Sequence, residues 1–86
     1  MPDDLDARFQ EAAAAAQNLP SRPDNDTLLR LYALYKQATA GDVAGKRPGF
    51  TNPVGRAKYD AWAALEGTDA TDAKQDYVDL VSSLQG

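Results

Sequence analysis

The chain has 86 residues, a formal net charge of −4, and neither Cys nor His. One small domain is expected, with no disulfide staple, no thiolate nucleophile and no imidazole to serve as base or metal ligand, so Ser–His and Cys–His catalysis are excluded. The charge is split, because Arg30, Lys36, Lys46, Arg47, Arg56 and Lys58 are set against a single acid, Asp42, while the rest of the chain is strongly acidic; this balance disfavours nucleic acid and suits a compact ligand carrying several phosphates.

The opening stretch, MPDDLDARFQ, is acidic where a secretory leader is basic. No apolar run approaches the roughly 20 residues of a membrane span. A soluble, cytoplasmic, monomeric protein is expected, with no stable membrane insertion. The first helix starts at Asp3 or Asp4 as N-cap and runs to about Leu19, with Leu5, Phe9, Ala12, Ala16 and Leu19 at helical spacing. Ala12 to Ala16 offers high helix propensity and a flat surface of small residues, and Pro20 and Pro23 stop the helix. Asp24 caps a second helix whose inward stripe is Leu28, Leu31 or Tyr32, Tyr35, and Ala38 or Thr39, with Gly41 as its C′ residue. GDVAGKRPGFT, residues 41–51, has no periodicity and is long for a connection inside a small domain, a length that often carries function. Asn52 caps a third helix with Pro53 in its first turn, continuing through Ala57, Ala61, Ala64 and Leu65 to Gly67. Thr68 or Asp69 caps a fourth, with Ala73, Tyr77, Leu80, Val81 and Leu84 as its stripe. No segment alternates as a strand does, so the fold class is all-α, a bundle of four helices.

Asp69, Asp72, Asp76 and Asp79 form a stripe on the fourth helix, read as a solvated face because oxygen-ligand metal sites draw on a bent loop as well. GDVAGKRPG lacks the Gly-Lys-Ser/Thr ending of a nucleotide-binding loop. The stronger signal is aromatic and basic. Tyr32, Tyr35 and Lys36 fall on the second helix, and Arg56, Lys58, Tyr59 and Trp62 on the third. Phenols can stack on a purine and donate to phosphate, lysine meets phosphate as a point charge, and arginine as a fork.

These residues resemble the acyl-CoA-binding protein family. YALYKQATAGD, then RPG, then GRAKYDAWAALEGT follow the family pattern in order and spacing, from about Phe9 to Leu84. The resemblance implies an up-down-down-up bundle in which residues 41–51 join two parallel middle helices. It implies non-covalent binding of medium- and long-chain acyl-CoA esters by an intracellular carrier and buffer, not an enzyme, with no cofactor and no metal. By motif position, Tyr32 and Lys36 correspond to contacts with the 3′-phosphate and adenine. Lys58 corresponds to a phosphate-contacting lysine, Tyr77 to a ligand-contacting tyrosine, and Tyr35 to the neighbouring aromatic. Leu28 and Ala13 match positions lining the acyl chain, and Arg22 a common basic position after the first helix. The chain departs from the pattern at Gln17-Asn18, where many members carry a basic residue, at Tyr59 in place of tryptophan, and at Phe50 in place of methionine. Two rivals are an interaction module docking through the aromatic face and an enzyme acting on CoA esters.

Overall fold

A computed structural model describes residues 4–86. It contains α1 (Leu5–Ala15), α2 (Asn25–Thr39), α3 (Pro53–Ala63) and α4 (Ala70–Leu84), with a single 3-10 turn, Ala16–Asn18, continuing α1. No strand is present among the described residues. Each start has a local cause. The Asp4 carboxylate accepts from the Asp6 amide at 2.9 Å, Asp24 from Thr27 at 2.8 Å, and Asn52 from Gly55 at 3.0 Å, each satisfying an amide with no partner inside its helix. Asp69 holds the extended N-cap backbone of α4 without a side-chain bond. The alternative cap Asp3 lies outside the described residues. Gly41 and Gly67 take φ of +85° and +90° just beyond α2 and the turn after α3, a conformation open to glycine without strain.

Helix directions follow from which residues meet. Asp6 pairs with Lys74 and Arg8 with Gln75, and further along Ala12 and Ala15 share a groove with Val78 and Ser82, so α1 and α4 run parallel. Lys58 lies over Tyr32 and Lys36 over Trp62, so α2 and α3 also run parallel. Gln37 reaches Thr68 just before α4, whereas the earlier Tyr35 meets the later Tyr77, so α2 opposes α4. This is the up-down-down-up order. The core is Phe9 and Ala12 from α1, Leu31, Leu34 and Ala38 from α2, and Ala73, Tyr77 and Val81 from α4. α3 contributes no buried residue and packs on α2.

Two boundaries and two faces differ from the sequence reading. The α-helical part of α1 ends at Ala15, because the chain tightens to 3-10 before Pro20, and α3 ends at Ala63 rather than Gly67. The buried face of α2 is Leu31, Ala33, Leu34, Gln37 and Ala38, while Leu28 and Tyr32 are half-buried and Tyr35 is 42% exposed. α2 packs against α4 on one side and α3 on the other, so its apolar stripe is wider than a single row of contacts. Nor do Ala12 to Ala16 form one surface. Ala12 is core, Ala13 and Ala16 line one groove, Ala14 is solvated and Ala15 lines a groove on another side, as about 100° of rotation per residue requires.

The connection between α2 and α3 is tied down along its length. Trp62 Nε1 donates to Gly41 O at 2.8 Å, Tyr59 donates its hydroxyl to Gly45 O at 3.1 Å, and Arg47 forks onto Asp60 at 2.7 and 2.8 Å. The segment therefore runs back along the flank of α3. Its start is knotted to the core: Gln37, 1% exposed, donates through Nε2 to Asp42 at 2.9 Å and to Thr68 O at 2.8 Å, and Asp42 also accepts from the Gly67 amide at 2.8 Å.

Candidate functional site

Two grooves meet on one side of the bundle. The first, about 490 Å³, lies between α2 and α3 and is lined by Arg22, Asn25, Leu28, Leu29, Tyr32, Pro53, Val54, Ala57 and Lys58. The second, about 340 Å³, lies where α1, α2 and α4 meet, lined by Ala13, Ala16, Gln17, Leu28, Leu31, Tyr32, Tyr35 and Tyr77. Leu28 and Tyr32 belong to both, one turn apart on α2, so the grooves share a wall. Their sizes fall within or at the low end of small-molecule sites.

Charge is placed along the same seam. The Lys58 ammonium sits 5.3 Å from the Tyr32 ring centroid, and the Lys36 ammonium 5.0 Å from that of Trp62. Tyr32 and Lys36 are one turn apart on α2, as are Lys58 and Trp62 on α3, so the four side chains form a crossed square between parallel helices. Each ring face holds a cation, and both ammonium groups lie along the α2–α3 seam. The aromatic group behind it is continuous. Tyr35 stacks on Phe9 with centroids 5.5 Å apart, and Tyr77 meets Phe9 edge-on at 5.1 Å. Tyr77 is 5% exposed, and burial, helped by nearby Tyr35, pushes its phenol above the ordinary value. It stays protonated near neutral pH and lines the second groove.

Of the residues singled out in the sequence, Tyr32, Lys58, Leu28 and Arg22 line the first groove, and Ala13, Tyr35 and Tyr77 the second. Lys36 borders the seam over Trp62 and lines neither groove. Arg56 lines neither groove and lies over the Phe50 ring at 4.9 Å.

A family model described as Acyl CoA binding protein matches residues 6–81. The chain belongs to the acyl-CoA-binding protein family. It is 47% identical over 76 residues to the acyl-CoA-binding protein of Saccharomyces cerevisiae, covering 88% of this chain and 87% of that one. The crystal structure of acyl-CoA-binding protein 2 from Oryza sativa superposes with a TM-score of 0.89 at 45% identity, covering 93% of this chain and 87% of that chain. That of the acyl-CoA-binding protein from Moniliophthora perniciosa gives 0.86 at 40% identity, covering 92% and 78%. The acyl-CoA-binding fold is thus shared at the level of backbone and sequence.

Leu29, Val54 and Ala57 line the first groove, yet the sequence reading placed none of them in the site. Val54 and Ala57 are i, i+3, followed at once by Lys58, a spacing that marks them as one face. Which helix that face meets depends on the parallel packing of α2 and α3, which spacing does not carry. Of the departures from the family pattern, Gln17 lines the second groove, Tyr59 ties down the connection through Gly45, and Phe50 is 91% exposed.

Proposed function

We propose that this family member binds medium- and long-chain acyl-CoA esters non-covalently, as a monomeric cytoplasmic carrier and buffer that does not react with its ligand. The carrying observation is the shared wall: an apolar groove lined by Leu28, Leu29, Pro53, Val54 and Ala57 adjoins a seam bearing the Lys36 and Lys58 ammonium groups and the Tyr32 phenol. The ligand has the same two ends. In this reading the 3′-phosphate and adenine sit on Tyr32 and Lys36, with Lys58 on phosphate and Arg22 and Arg56 adding positive potential at the rim. The acyl chain lies against Leu28, and Ala13 and Tyr77 border the path where the groups meet.

Each buried methylene stabilises by about 0.8 kcal/mol before ordering costs. Affinity should therefore rise steeply with acyl length and level off once the groove is filled. Calorimetric titration with CoA esters from acetyl to palmitoyl, with free CoA and free fatty acid as controls, tests this. Equal affinity across the series would rule out an acyl groove. Following free thiol in the same samples separates a carrier from a thioesterase, since a carrier releases none.

A further inference from the structure

We infer that the N-terminal end of α3, with Phe50 and Val54 at its tip, is a docking surface for an anionic lipid bilayer. Phe50 is 91% exposed and Val54 64% exposed, two of the three large apolar side chains left in water among the described residues. They are close in the fold, because the connection returns along α3 and the Gly49 carbonyl accepts from the Asn52 amide at 3.0 Å, setting Phe50 beside the first turn. Pro53 is exposed there too. Phe50 lines neither groove and stands almost wholly in solvent, which suits a fluid acyl interior better than a shaped protein partner.

The surroundings are cationic. From 43 to 59 the chain carries Lys46, Arg47, Arg56 and Lys58 and no carboxylate. Arg56 lies 4.9 Å from the Phe50 ring centroid, so the aromatic wedge carries its own cation, as an interfacial anchor does. The next acid, Asp60, pairs with Arg47, which leaves Lys46, Arg56 and Lys58 as the segment's uncompensated charge. A protein acidic overall thus presents positive charge beside an exposed apolar pair, complementary to an anionic leaflet. Nothing here requires insertion of a helix, and no helix among the described residues is long and apolar enough to cross a membrane.

Val54 also lines the α2–α3 groove, so docking would bring the groove mouth to the bilayer. The use of this surface to collect or release a long-chain ester rests on the acyl-CoA reading; the surface itself does not. Ligand-free protein should float with vesicles containing about one-third phosphatidylserine, less so at high salt, and not with pure phosphatidylcholine. Phe50→Ser should bind anionic vesicles roughly tenfold more weakly and Lys46→Glu more weakly still at low salt, while Phe50→Ser keeps its melting temperature and its calorimetric affinity for palmitoyl-CoA. Failure of the wild type to bind anionic vesicles, or undiminished binding by Phe50→Ser, overturns the inference. So does a Phe50→Ser protein that loses palmitoyl-CoA affinity along with vesicle binding, since Phe50 would then belong to the ligand site. If the wild type binds vesicles but no CoA ester, docking stands and the acyl-CoA reading falls.

Discussion

Lys36 and Lys58 hold their ammonium groups over Trp62 and Tyr32 at 5.0 and 5.3 Å. At exposed sites such contacts are worth about 0.5–1 kcal/mol, less than a charge-assisted hydrogen bond at about 1.5–3 kcal/mol. The rings therefore, on the proposed reading, keep the cations in place until a phosphate draws them off. On the proposed reading, Tyr32→Phe keeps the ring under Lys58 and removes only a hydroxyl. It should weaken palmitoyl-CoA binding by about 1 kcal/mol, near fivefold. Lys36→Ala should cost more, and unchanged affinity in both variants by calorimetry would mean the site is misplaced. Gln37 belongs to the same motif but does different work. It is buried and bridges Asp42 and Thr68. Gln37→Ala should destabilise the fold by about 2–3 kcal/mol yet leave the affinity of the folded protein unchanged. Chemical unfolding and calorimetry on the same preparation separate the two effects, and a stable Gln37→Ala protein would show that the bridge adds nothing.

The helices themselves were legible from spacing and caps: Asp24, Asn52 and Gly41 stand where helix-end chemistry puts them. The face of α2 was not. Leu31 and Tyr32, or Ala38 and Thr39, are alternatives that periodicity leaves open, and the choice depends on neighbours on both flanks. Tyr32, Lys36 and Lys58 were legible as a group, whereas Val54 and Ala57 were not, because the groove they line needs two parallel helices side by side. The joints between elements carry a pH signature. Asp42 accepts from Gly67 and from Gln37, and these bonds hold its carboxyl below the usual value of 3.8. Its folded pKa lies below its unfolded one, so the stabilisation is complete above the unfolded value and lost as pH falls through the folded one. Asp42→Asn keeps an oxygen for both donors and removes the titration. Its urea midpoint should fall less between about pH 5 and pH 2 than that of the wild type, with residual slope from Asp24 and Asp60, whose carboxyls are also held low by Thr27 and Arg47. Parallel acid limbs for the two proteins would remove Asp42 from the account.

Seen as a whole molecule, the bundle is uneven. α1, α2 and α4 share the buried core, whereas α3 contributes no buried residue and packs on α2. What joins α3 to the rest is the crossed Tyr32, Lys36, Lys58, Trp62 square and the connection tied through Gly41, Gly45 and Arg47. Few buried apolar contacts mark an element that opens below the global unfolding energy. Without ligand, amides in the middle of α3 should exchange with deuterium faster than those around Phe9, Leu34 and Val81. A ligand lying between α2 and α3 must be released before α3 can leave. Free ligand at 100 times its dissociation constant should then slow α3 exchange about 100-fold, equivalent to about 2.7 kcal/mol, by mass action alone. Fraying ends of α1 and α4, whose opening does not disturb the seam, should exchange as before. Equal protection of α3 and the core in the free protein would mean that the square and the tied connection suffice to make one cooperative unit. Protection of α3 that ignores palmitoyl-CoA would place the ligand somewhere other than the α2–α3 groove.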